Sequence, residues 1–267
     1  MTSKLGKYSF LIFPFLIFNS MFAVLAQKIE HISVVAQRNV LDQTDLVANS
    51  TNQILSSDFD PSSSTIVGSL LQIPGLSLSG QGGLLQSYSL RGFSRWRIRT
   101  EVDGIPIITD RRAGNSASFI APSLLNSITV KQGPSSTLYG SGAMGGLVGL
   151  SSQLFDGLSI SAGYQFNDQL KQTMIAYGNN DISTAVVYRK AENAKDGNGD
   201  ELNSAYEQVS GLFKYQQHIG DLDIEFSWLP SYGSNIGKSS SKFPYLQINE
   251  YPQETHSLSQ IQMMNKQ

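Results

Sequence analysis

Residues able to do chemistry are few in this sequence, and they are scattered. The three histidines, His31, His218 and His256, lie far apart and share no metal-ligand spacing. There is no cysteine, which removes disulfides, thiolate catalysis and Cys-based metal sites together. Serine is frequent, yet no Gly-x-Ser-x-Gly elbow presents one as a nucleophile. Two local patterns say more. Asp196-Gly197-Asn198-Gly199-Asp200-Glu201, with Glu207 beyond, has the oxygen-ligand spacing of a calcium loop. Glu201 stands where that loop needs Gly, and strands flank it. A solvated hairpin loop is the preferred reading, with Asp196, Asn198 and Asp200 as the metal candidates. Gly140-Ser141-Gly142-Ala143-Met144-Gly145 fits the dinucleotide fingerprint. That fingerprint must leave a strand directly and open a helix. Here turn residues precede it and β-like sequence follows, so nucleotide binding is set aside. No catalytic constellation is left; an enzyme is not expected, and no cofactor is implied.

Charge is the remaining signal. Charged residues are only 15% of the chain and the formal net charge is −2, which gives no reason to expect nucleic acid. Positive charge gathers at Arg91, Arg95, Arg97, Arg99, Arg111 and Arg112. Arg95, Arg97 and Arg99 alternate with Trp96 and Ile98, which predicts a strand with one basic face. That face could attract an anionic ligand such as a ferric chelate. Pairing with acids such as Asp223 and Glu225 is the stronger expectation.

The elements that must position these residues fall into zones. Lys4 and Lys7 precede an apolar run from Phe10 to Leu25, and Val24-Leu25-Ala26 ends it with small residues. Residues 1–26 therefore read as a cleaved export signal, too short and too interrupted for a membrane anchor. Residues 27–50 form a polar, flexible lead carrying one extended apolar patch at Ile32 to Val35. Residues 51–152 mix a short helix with strands and many glycines. Thr65 is the expected N-cap, Ile66, Val67, Leu70 and Leu71 the apolar stripe, and Pro74-Gly75 the stop. Residues 153–267 are a succession of alternating strands, about five by eye. Leu222, Ile224, Phe226 and Trp228 alternate with Asp223, Glu225 and Ser227, and Leu158 to Phe166 and Ile182 to Tyr188 behave alike. The period suits membrane strands with apolar residues to lipid and polar ones to the lumen. On that facing Ser227 should tolerate even an Arg. Asn179-Asn180-Asp181 and Gly220-Asp221 read as short turns; Ala191 to Ser204 and Ser231 to about Glu250 read as long loops.

Four runs in the middle zone stand in order. They are Leu70-Leu71-Gln72-Ile73-Pro74-Gly75-Leu76, Leu90-Arg91-Gly92-Phe93, Val102-Asp103-Gly104-Ile105-Pro106, and Gln132-Gly133-Pro134-Ser135-Ser136-Thr137-Leu138-Tyr139-Gly140-Ser141-Gly142-Ala143-Met144-Gly145-Gly146. Together they make the chain resemble the TonB-dependent receptors of the outer membrane. Two departures are Gln132, where the family usually has Arg, and Leu147-Val148-Gly149-Leu150, where it usually shows an Asn near the end.

The resemblance implies an α+β plug domain followed by the first antiparallel strands of a transmembrane β-barrel. Such a barrel has 22 strands in this class, so the chain is expected to be a truncated or incomplete piece. It also makes Glu30-His31-Ile32-Ser33-Val34-Val35-Ala36 the TonB box, which adds a strand to the inner-membrane partner TonB. The implied function is energised uptake of a scarce ligand at the cell outer membrane. Siderophore, haem, cobalamin and oligosaccharide receptors share these motifs, and a ferric siderophore is the base-rate expectation. The competing reading is a non-transporting periplasmic binding or signalling module. Most motif residues are expected to be architectural, their glycines sitting where backbone must turn or approach closely.

Overall fold

The computed structural model describes residues 51–59, 65–80, 83–107, 117–239 and 249–265. The export signal, the Glu30 to Ala36 segment, and Arg111 and Arg112 lie outside them. The first part of the chain builds two small sheets. β1 (Thr51–Leu55), β7 (Leu125–Gln132), β8 (Gly146–Ser152), β5 (Ile98–Val102) and β6 (Ile105–Pro106) form one, in that spatial order, with β5 and β8 parallel. β2 (Leu76–Gly80), β3 (Gln86–Leu90) and β4 (Phe93–Ser94) form the other. Helix α1 (Ile66–Leu70) starts at Thr65, whose hydroxyl accepts the Val67 N–H and donates to Gln86. It stops after five residues. Leu71, expected in the apolar stripe, therefore faces outward, and Ile73 goes inward instead. A second short helix, α2 (Ser136–Tyr139), precedes the glycine-rich turn into β8.

Residues 95–97 overturn one expectation. They form a 3-10 turn, opened by Arg95 at a φ of 56°, and the strand starts only at Ile98. The chain must turn here, because β4 belongs to one sheet and β5 to the other. The alternating basic strand face does not exist; Arg99 alone of the three lies in the strand.

A third sheet forms a wall of six antiparallel strands in sequence order. They are β9 (Gly157–Tyr164), β10 (Lys171–Gly178), β11 (Ile182–Ala191), β12 (Tyr206–Ile219), β13 (Leu222–Lys238) and β14 (Asn249–Asn265). The turns at 179–181 and 220–221 are short, as read. The loop expected from Ser231 is instead strand as far as Lys238, and β14 is a strand the sequence reading missed. Asn235, in the left-handed region, turns β13 so that Ile236 points inward to join Leu84, Leu85 and Tyr206.

Facing follows the period of two. Ser227 is 2% exposed and Trp228 43%; Ile175, Tyr177, Val186 and Tyr188 are likewise outward. The inner face is less polar than expected. Met174, Ala176, Ala185, Val187, Leu212 and Leu229 belong to the same core as Ile66, Leu70, Leu90, Ile98, Val102 and Val148. This explains the unbroken run Ala185-Val186-Val187, which packs inward at both ends and faces out at its centre. Each fully buried Val or Leu stabilises the assembly by about 1.5–3 kcal/mol. Within that core Tyr88 bonds Thr100 at 2.5 Å. Burial pushes its hydroxyl far above the ordinary tyrosine range, the Thr100 bond working the other way. Among the described residues no helix is long and apolar enough to cross a membrane; strands are a separate matter.

Candidate functional site

The sequence runs singled out above meet in space. Gly75, in the left-handed region, offers its carbonyl to the Arg91 N–H at 2.8 Å. The carbonyl of Pro74 accepts from Gln132 Nε2 at 2.9 Å, so the Gln that departs from the family pattern still ties two runs together. Gly145 donates to the Arg97 carbonyl at 2.8 Å and lies so close to Phe93 that any Cβ there would overlap its side chain. Gly146 is pressed on the Lys131 carbonyl in the same way. Gly133 donates to Gly145, and Ser135, just after Pro134, donates to Ala143. Arg99 bonds the Tyr139 carbonyl and pairs with Glu101 at 3.1 Å. The Lys131 ammonium meets both the hydroxyl and the ring of Tyr139. Gly140 and Gly142 both have positive φ and lead into strand β8, so no helix N-terminus is available to a pyrophosphate.

The third run forms the link to the wall. Asp103 and Gly104, at φ 49° and 83°, make the tight turn between β5 and β6, with Pro106 closing β6. The Asp103 carboxylate accepts the Ser152 N–H at 2.9 Å and the Ser152 hydroxyl at 2.5 Å. Lys214, on the inner face of β12, reaches that carboxylate at 3.5 Å and Glu225 at 3.8 Å. The expected pairing of arginines with wall acids is thus reversed in sign. A wall lysine meets an acid of the small domain, and Arg99 meets Glu101.

A second junction was not read from the sequence at all. The Phe119 carbonyl accepts Ser210 Oγ at 2.9 Å and Gln208 Nε2 at 3.2 Å. Arg189, fully buried on β11, bonds Gln208 and lies 3.5 Å from the Ser118 carbonyl. The Phe119 ring stacks on His256 at 4.2 Å, and Glu254 holds that imidazole at 2.7 Å. Alternation places Arg189, Gln208 and Ser210 on one strand face each, but only tertiary packing names their partners. The cavity of about 530 Å³ beside β9 and β10 is lined by neutral groups such as Ser123, Gln153, Gln165 and Gln172.

The calcium reading receives no support. Asp196 Oδ1 is turned onto the backbone N–H groups of Asn198 (2.8 Å) and Asp200 (3.0 Å), and the backbones of Lys195 and Glu201 pair as an antiparallel β-bridge across the loop. Among the described residues no group of His, Asp or Glu is placed to hold a metal.

Comparisons with known proteins agree with this geometry. The family model of the TonB-dependent Receptor Plug Domain matches residues 43–147. The "Heme/hemopexin utilization protein C" of Haemophilus influenzae (strain 86-028NP) is 30% identical over 221 residues, 76% of this chain and 31% of that protein. The "Hemin receptor" of Yersinia enterocolitica is 42% identical over 80 residues, 30% of this chain and 12% of that one. Among solved structures, the ferric enterobactin receptor PfeA of Pseudomonas aeruginosa covers 81% of this chain at a TM-score of 0.60. Its sequence identity is 15% and 38% of that chain is matched, so the likeness is one of fold. The chain thus spans about a third of the length of the Haemophilus relative.

Proposed function

The chain belongs to the TonB-dependent receptors through its plug domain, and from that premise we propose that it forms the N-terminal portion of an outer-membrane receptor for energised uptake of an iron-bearing ligand. In this reading residues 1–26 direct export, residues 27–50 carry the TonB box, residues 51–152 are the plug, and residues 153–267 begin the barrel. The observation that carries it is the seating of a compact plug on a strand wall whose other face is apolar and aromatic along β10 to β13, at Ile175, Tyr177, Val186, Tyr188, Tyr215 and Trp228. Such a face is at ease in lipid and costly in water. A free periplasmic module would have no use for it.

For the ligand we favour haem over the ferric siderophore. Two relatives at 30% and 42% identity carry haem names, whereas the likeness to the enterobactin receptor rests on fold at 15%. The exposed Arg91, Arg95 and Arg97 suit either anionic ligand. Energy would enter through Glu30 to Ala36, pairing as an added strand with TonB.

The test is growth of an iron-starved host, stripped of its own receptors and given this one, on haemin or on a ferric catecholate as sole iron source. Growth on haemin is expected. Val34→Pro removes one ladder donor from the TonB box and should abolish that growth without lowering receptor abundance. Growth on the catecholate alone would replace haem by siderophore; growth unaffected by Val34→Pro would sink strand addition.

A further inference from the structure

Resting on that uptake reading, we propose that the outward face of the wall, at the loop end of β10 and β11, holds the phosphate of an acylated glycolipid in the outer leaflet. Lys171 and Lys190 supply its two cations, and the lipid's chains lie on the apolar surface below them.

Charge at this place in the ladder is the first observation. Lys171 and Lys190 are register partners on neighbouring antiparallel strands, and both are exposed on the outward face. Their Cβ atoms are therefore about 5 Å apart, and like charges so opposed weaken a ladder. The wall is otherwise sparing with charge there: on the outward positions of β9 to β12 the charged residues are Lys171, Lys190 and Glu207. Among the described residues neither ammonium lies within ion-pair distance of a carboxylate. Glu207 faces Lys190 in the next ladder, but its carboxylate takes the Tyr188 hydroxyl at 2.9 Å. An anion set between the two lysines relieves their repulsion. A phosphate monoester, with about −1.5 to −2 charges and three acceptor oxygens, can bond both at once.

What lies beneath the pair selects a lipid. On the same face Tyr188 stands two residues from Lys190, and Val186 and Ile175, partners in the ladder, stand four residues from Lys190 and Lys171. Four residues of strand span about 13 Å. Cation, aromatic and aliphatic thus follow one another as headgroup, interface and acyl chain do in a leaflet. The pair stands at the end where residues 192–205 connect β11 to β12, away from the short turn at 179–181. Short turns mark the periplasmic side of such a barrel, so the lysines reach the outer leaflet. β10 and β11 each have both ladder neighbours in place, so this face does not owe its exposure to an open sheet edge.

The test uses the full receptor purified from outer-membrane fractions, native and as Lys171→Gln with Lys190→Gln. Each is titrated with detergent-dispersed bis-phosphorylated lipid A, with the same lipid dephosphorylated, and with inorganic phosphate alone. The native receptor should bind the phosphorylated lipid about tenfold more tightly than the Gln form does. It should prefer that lipid to the dephosphorylated one and hold inorganic phosphate only weakly, while Lys171→Arg with Lys190→Arg retains binding. Without lipid, the Gln form should melt no lower than the native receptor, because the opposed charges are gone; this separates lost binding from lost folding. Equal lipid affinity of native and Gln forms, or indifference to the phosphate, would overturn the site. Inorganic phosphate bound as tightly as the lipid would overturn the lipid as its occupant. A receptor missing from outer-membrane fractions would sink the reading on which the site rests; one found there whose lipid binding ignores both lysines would sink this proposal alone.

Discussion

Asp103 does three things with one carboxylate: it holds the Ser152 N–H, the Ser152 hydroxyl and the Lys214 ammonium. Removing it leaves a buried lysine with Glu225 alone and frees the end of β8. Asp103→Ala should therefore cost about 3 kcal/mol, the scale for breaking a buried ion pair from one side. Lys214→Met should cost at most about 1 kcal/mol, since Asp103 keeps both Ser152 donors and the apolar stem is replaced in kind. Urea unfolding of the folded receptor checks the order, and the reverse order would falsify the view of Asp103 as the hub. Two glycines make a second contrast. Gly145→Ala drives a methyl into Phe93, whereas Gly104→Ala meets open space and only the left-handed backbone resists it. The first should prevent a stable plug; the second should cost about 1–2 kcal/mol. Equal melting temperatures for the two variants would contradict the close packing at Gly145.

At the scale of the element, the wall strands carry different obligations on their two faces. On β10 to β13 the outward face is largely apolar and aromatic. Val186, at the middle of β11, is 54% exposed there. If the wall lies in the outer membrane as proposed, an Arg at that position near the bilayer midplane would cost about 2–4 kcal/mol, so assembly should fall. The inward face depends on what it touches. Ser227 was expected to tolerate Arg, but it is buried opposite Lys214 in the ladder, where a second cation would be repelled. Gln216, half-buried beside Glu225 and bonded to it at 2.9 Å, is where an inward Arg should be accepted. Heat-modifiability in outer-membrane fractions reads both outcomes. Loss of assembly in Gln216→Arg with normal assembly in Val186→Arg would mean that the faces are interchanged.

At the scale of the molecule, plug and wall share a core, which changes what the plug can do alone. A fragment of residues 51–152 keeps Ile66, Leu70, Leu90, Val102 and Val148 but loses the wall residues that cover them. It should be compact and soluble yet marginal, binding a hydrophobic dye and melting far below the roughly 90 °C of hyperstable domains. A sharp melt above that range with no dye binding would show that the plug needs no seat.

What the sequence determined by itself is what depends on near neighbours along the chain. The left-handed turns at Gly75 and Asp103-Gly104, the Thr65 cap and the outward faces of β11 and β13 were legible, because φ preference and side-chain alternation are local. The tertiary structure decided the rest. Arg95 and Arg97 alternate as a strand would, but a chain changing sheets had to turn there. β14 escaped notice because its outward Gln253, Thr255, Ser257 and Ser259 show no apolar period; the backbone ladder to β13 makes it a strand. The inward-facing Arg189, Gln208, Ser210 and Lys214 look like lumen residues meeting water. They meet the plug instead, through carbonyls and a carboxylate supplied from about 70 to 110 residues away in sequence. No local pattern specifies such partners, because hydrogen-bonding capacity is set by the residue and its use by whatever the fold brings to face it.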